Sequence, residues 1–254
     1  MIDAWRLAVG TLTALPTRPP GQVDPRVAGG AMLLAPVATL PLTLAVALGW
    51  ATLRWTTAPP VLVGALVVAL LALATRGLHL DGLADTCDGL SASYDRTRAL
   101  AVMRTGDVGP AGTGALVLVL LIQAAAVAEL VTTVPGALIA GLAVVTSRHT
   151  VAWACRRGIP AARPEGLGAM VAGTVPTWSA AASALALTAA GGLLLAFAGM
   201  PWWAGPAVVS AGLAGAAVVV GRTRRRLGGI TGDVLGAVVE ISLTAALICA
   251  TILH

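Results

Sequence analysis

Apolar runs long enough to cross a bilayer recur along this chain, and they leave it few ways to fold. A helix rises about 1.5 Å per residue, so a hydrocarbon core of ~30 Å takes about 20 residues. Runs at roughly 28–50, 60–78, 112–133, 137–154, 178–199, 203–221 and 234–253 are at or near that length. In lipid every backbone polar group needs an internal partner, and these runs lack the alternation of a barrel strand. They therefore predict an all-α fold. The expected architecture is a polytopic transmembrane helical bundle of about seven spans, forming one integral-membrane domain over residues 1–254. Only 11% of residues are charged, about half the share in a soluble domain. That argues against a water-soluble all-helical core.

Arginine placement gives the orientation. Every basic residue is Arg, and the net charge is +5. With the N-terminus cytoplasmic, segments 79–111, 155–177 and 222–233 hold Arg96, Arg98, Arg104, Arg156, Arg157, Arg163, Arg222, Arg224, Arg225 and Arg226, while the far side keeps Arg54. That is positive-inside asymmetry, so the basic balance reports topology and not a nucleic-acid partner. Trp50, Trp55, Trp202 and Trp203 fall at expected outer ends, and Trp153 and Trp178 at inner ends, as an interfacial aromatic belt requires. Seven spans put His254 outside. No cleaved signal peptide is expected. Cys87, Cys155 and Cys249 have no metal-binding spacing and are expected to be free thiols.

The chemistry concentrates in His79-Leu80-Asp81-Gly82-Leu83-Ala84-Asp85-Thr86-Cys87-Asp88-Gly89. On a helix Asp81, Asp85 and Asp88 project at about 0°, +40° and −20°, one narrow stripe. Like charges at this spacing repel. A hard divalent cation such as Mg²⁺, which takes carboxylate and phosphate oxygens, would relieve the repulsion; a solvated helix face is the plain alternative. His79 is a candidate base, an orienter of Asp81, or an interface residue.

A second acidic element is Gly228-Gly229-Ile230-Thr231-Gly232-Asp233, with Glu240 two turns on along the same face. Asp233 can join the metal cage or simply cap its helix. Glu240 lies inside a span, where a carboxylate is a functional hypothesis by default. Together with the first stripe they could hold one or two Mg²⁺, and two metals clamp a phosphoryl transfer. Thr231 and Gly232 are candidates for close backbone approach to a phosphate. Asp107 can hold metal or substrate, or pair with Arg104 in a turn. Arg148, beside His149 inside the fourth span, needs either a phosphate or an Asp partner. Arg163, with Arg156 and Arg157, can grip a nucleotide or serve topology alone.

The first stretch resembles the signature of the adenosylcobinamide-GDP ribazoletransferase (cobalamin synthase) family. Gly229-x-Thr231-Gly232-Asp233-x-x-Gly236-Ala237 is similar to that family's C-terminal signature, Ala162-Arg163-Pro164-Glu165-Gly166-Leu167-Gly168 to a third block, and Thr11 to Pro16 loosely to its N-terminus. One departure stands out. Many members carry Asp-Ser-Arg where this chain has Thr105-Gly106-Asp107, which displaces the carboxylate by two positions. The resemblance implies an Mg²⁺-dependent enzyme of a bacterial cytoplasmic (inner) membrane with its active site facing the cytoplasm. It would join α-ribazole or its 5′-phosphate to adenosylcobinamide-GDP and release GMP. Its site is then expected to use Asp81, Asp85, Asp88 and Asp233 on metal, Asp85 or Asp88 as the base, and His79 beside them. Arg104, Asp107, Arg148, Arg163, Thr231, Gly232 and Glu240 are expected on substrate. The partners implied are those small molecules and the lipid bilayer, with a homo-oligomer left open.

Two other readings compete. A CDP-alcohol phosphotransferase also sets spaced Asp residues on membrane helices, but its Ala-Arg pair and second Asp pair are missing here. A transporter would want its charges at mid-membrane, whereas these gather at one face.

Overall fold

Proline and glycine set most of the helix boundaries. Pro25, Pro60 and Pro110 each occupy the first turn of a helix, where a missing N–H costs nothing. The computed structural model describes residues 1–254, and its ordered elements are all helical. In chain order they are α1 (Ile2–Leu12), α2 (Pro25–Ala38), a 3₁₀ turn (Leu40–Leu42), α3 (Thr43–Trp55), α4 (Pro60–Ala74), α5 (Leu78–Ala92), α6 (Arg96–Val102), α7 (Pro110–Leu130), α8 (Val134–Ala154), α9 (Gly166–Val171), α10 (Thr177–Phe197), α11 (Ala204–Leu227) and α12 (Gly232–Leu253).

Six stretches are long and apolar enough to cross a membrane: Pro25–Trp55, α7, α8, α10, α11 and α12. The pair α4 and α5 makes a seventh only if taken together, and it bends by 91°. The protein is thus a multi-pass helical membrane protein. Two expectations change in detail. The first span is broken by the 3₁₀ turn at Leu40–Leu42, where Pro41 cannot continue the helical hydrogen bonding. The section 79–111 contains the helices α5 and α6. The helix expected for the acidic stretch is present as α5, packed against α12, while the second span, expected over 60–78, ends at Ala74 in α4.

The α4–α5 bend has a local cause. Arg76 and Gly77 both take left-handed backbone, φ 56° and 68°. That conformation costs a side-chain-bearing residue roughly 1–2 kcal/mol. Arg76 offsets it by donating to the Gly10 carbonyl at 2.6 Å, which ties the bend to α1.

Helix α12 is the centre of the bundle and packs on α11, α5, α8 and α7. Helix α8 is the most interior span, with 78% of its apolar window buried against 28% for α10. Leu118 and Leu121 on α7, and Leu185, Leu193 and Phe197 on α10, stand exposed. Such rows would be a liability in water and suit lipid. At one end of the bundle Thr133 and His254 share a 2.6 Å hydrogen bond. The other end is laced by Arg96 to the Ala162 carbonyl, Arg163 to that of Leu100 and Arg226 to that of Ser93. It gathers α6, the α8–α10 connection and the α11–α12 turn around α5.

Candidate active site

The site forms where α5 crosses α12, and glycine permits the crossing. A Cβ on Gly82 would sit 2.5 Å from the Asp233 carbonyl oxygen, and one on Gly236 would sit 2.9 Å from that of His79. No ordinary side chain fits at either point. Each signature stretch therefore supplies a glycine to the contact and a carboxylate to what the contact brings together. Asp85 lies within coulombic reach of Asp81, Asp233 and Asp88, and of Arg163.

A cavity of about 310 Å³ opens at this crossing. Asp81, Arg163, Glu165, Thr231, Gly232 and Asp233 line it, together with His79 and, from α1, α2, α8 and α12, a group of apolar side chains. Thr231 caps α12 by accepting from the Val234 amide at 3.2 Å, and its hydroxyl donates to Asp233 at the same distance. Arg163 approaches Asp233 at 3.7 Å while donating to the Leu100 carbonyl at 2.7 Å. Burial lowers the pKa of this guanidinium from its ordinary value, Asp233 raises it and Arg104 lowers it again. Beside the cavity, sharing Arg163, an open hollow of about 590 Å³ is lined by Arg96 and Arg104 as well. Its charge suits a phosphate-bearing group.

The four expected metal ligands play different parts. Asp81 and Asp85 have neither a hydrogen-bond nor an ion-pair partner. Asp233 is engaged by Thr231 and Arg163. Asp88 is buried, and its two oxygens accept from the Gly109 and Gly112 amides at 2.7 and 2.8 Å. It caps α7 from a different helix, meeting unpaired N–H groups and the positive end of the dipole. Asp88→Ala is therefore expected to cost about 2–3 kcal/mol of stability, read as a lower thermal midpoint in detergent. A variant as stable as the parent but inactive would instead put Asp88 in the chemistry.

No three Asp, Glu, His or Cys side chains converge as a preformed metal cage. Mg²⁺ does not need one, since it is usually held by one or two carboxylates plus substrate phosphates and water. The unpartnered Asp81 and Asp85 fit that donor set.

Other expected residues lie apart from the cavity. Asp107 is exposed and makes no pair with Arg104. Glu240 and Arg148 sit deeper in the bundle, lining a void of about 10 Å³. Glu240 accepts from Gln123 at 2.9 Å, and its other oxygen faces His79 Nδ1 at 3.9 Å. Arg148 is fully buried and donates to Ser147. The Asp-type partner expected for Arg148 is thus replaced by a carboxylate of α12 within coulombic reach. Gln123 escaped the sequence reading, although a lone amide within an apolar span was the available signal. Arg156 donates to the Trp153 carbonyl and stacks on that ring at 4.4 Å. Arg226 stacks on Tyr94 at 4.2 Å. Both arginines brace helix ends.

Fold and site together define a multi-pass helical membrane protein with carboxylates and arginines grouped around a cavity at one end, the equipment for a phosphate-bearing substrate. The chain belongs to the cobalamin-5-phosphate synthase family, whose pattern matches residues 4–251. It is 50% identical over 248 residues to a Nocardioides protein named adenosylcobinamide-GDP ribazoletransferase, covering 98% of each chain. A protein of the same name from Frankia casuarinae is 43% identical, covering 98% of this chain and 94% of the relative. One from Stutzerimonas stutzeri is 35% identical, covering 95% of each. No solved structure matches.

Proposed function

We propose that this enzyme joins α-ribazole, or its 5′-phosphate, to adenosylcobinamide-GDP, releasing GMP and completing the nucleotide loop of a cobalamin. Family membership supports the reaction class. The observation that carries the site is the convergence of Asp81, Asp233 and Arg163 on one cavity between the two signature helices, with Asp85 one helical turn from Asp81 and within coulombic reach of all three. The CDP-alcohol phosphotransferase reading is not favoured by the same membership.

In this reaction the ribose 3′-hydroxyl attacks the phosphorus that bears the cobinamide aminopropanol. The new P–O bond forms as the bond to GMP breaks, and GMP leaves with that electron pair. Asp85 takes the hydroxyl proton, because it is unpartnered while Asp88 is spent on two amides. Arg163 binds departing phosphate oxygens, held in place by the Leu100 carbonyl. Asp81 and Asp85 would hold Mg²⁺, which would supply charge neutralisation at the pyrophosphate. The cavity lies at the arginine-rich end, which supports a site facing the cytoplasm in a bacterial inner membrane.

Purified protein given both substrates and Mg²⁺ is expected to release GMP in step with cobamide formation. Chelation with EDTA is expected to stop turnover, and added Mg²⁺ to restore it. Full activity in excess chelator would remove the metal from the scheme, and absence of GMP release would remove the reaction.

A further inference from the structure

The cavity has two chemically distinct levels, and the reaction above uses only the upper one. Below the carboxylates its floor is made by Leu12, Met32, Val151, Leu235 and Val239, drawn from α1, α2, α8 and α12. All five are buried. Val239 follows Asp233 by six residues, about 9 Å farther along the α12 axis, comparable with the length of a nucleoside. Polar groups are scarce at this depth. The Thr11 hydroxyl is used on the Leu7 carbonyl of its own helix. His79 lines the cavity, and neither of its ring nitrogens makes a hydrogen bond; Nδ1 is buried 3.9 Å from a Glu240 carboxylate oxygen.

We propose that this floor is the subsite for the uncharged aromatic base of the acceptor nucleoside, and that His79 is the polar side chain the base meets. The inference rests on the reaction proposed above. That reaction brings three large groups to the site, and their chemistry separates them. The corrin macrocycle is too broad for a cavity at the lower end of ligand-pocket volumes. Guanine carries donors and acceptors along its edge, and burying them without partners is costly. A site with no groups to pair them rejects such a base. A dimethylbenzimidazole is apolar apart from one ring nitrogen, so it gains from the aliphatic floor and needs a single donor. Placing the base there leaves its ribose at the level of Asp81 and Asp233, within reach of Asp85, where the 3′-hydroxyl must react. Guanosine is left to the arginine-lined hollow outside.

Two measurements test this. Free 5,6-dimethylbenzimidazole is expected to inhibit the wild-type enzyme competitively against α-ribazole and not against adenosylcobinamide-GDP. Val239→Phe, which fills the floor, is expected to raise KM for α-ribazole at least tenfold while KM for adenosylcobinamide-GDP moves less than twofold. Inhibition competitive with adenosylcobinamide-GDP, or no inhibition, would overturn the assignment. So would an equal rise in both KM values. Should Val239→Phe fail to fold, inhibition of the wild type by the free base decides alone. A wild type that releases no GMP with any acceptor would mark failure of the reaction itself, a different result from active enzyme with the wrong inhibition pattern.

Discussion

Asp85→Ala is expected to lower GMP release by about a thousandfold or more, within the range for loss of a positioned acid–base group and of a metal-holding carboxylate together. The protein should still insert and keep its thermal midpoint, or gain slightly. Asp85 makes no hydrogen bond or ion pair, and it stands within reach of three other carboxylates. Removing it relieves repulsion and breaks no contact. The comparison with Asp88→Ala separates the two kinds of carboxylate in one stripe, since that substitution strikes stability through the Gly109 and Gly112 amides. Activity and thermal midpoint measured side by side on both variants check the assignment. Near-normal turnover in Asp85→Ala would end the proposal that it takes the proton.

Gly82→Val is expected to abolish turnover, by at least a hundredfold, without touching any reacting group. Its Cβ would meet the Asp233 carbonyl oxygen at 2.5 Å, a backbone atom that cannot swing aside. Helices α5 and α12 would have to separate, moving Asp81 and Asp85 away from Asp233 and Arg163. Misplacement of about 1 Å can cost a hundredfold in rate. Overpacking of this kind also typically costs 1–3 kcal/mol, so the variant should remain folded in detergent with a lowered midpoint. Unchanged activity would mean that the crossing does not set the site.

Much of the architecture was legible in the chain because bilayer physics is local. A run of about 20 apolar residues must be helical wherever it lies, and five of the seven expected spans match single helices. Boundaries went wrong where the signal was not hydrophobicity. Pro41 broke the first span, and the second, expected to run to residue 78, ends at Ala74, just before the left-handed Arg76 and Gly77 turn the chain into α5. Within the site, spacing identified Asp81, Asp85 and Asp88 as one stripe, since helical period is a property of the segment itself. Spacing could not tell them apart. Asp88 and Asp85 are three residues apart and have the same chemistry, but one meets the amides at the start of α7 and the other does not.

Glu240 and Arg148 make the same point. Their presence inside spans signalled a function or a partner, and the partner search needed coordinates: Gln123 is 117 residues from Glu240. Fold class and the carboxylate stripe were determined by the sequence alone, because hydropathy and helical period act over a few turns of one chain segment. Tertiary structure alone decided which carboxylates are free, which arginine faces Asp233, and that Leu12, Met32, Val151, Leu235 and Val239 form one apolar floor. Those depend on contacts between helices far apart in the chain, set by close approaches such as Gly82 against Asp233 that no single segment encodes.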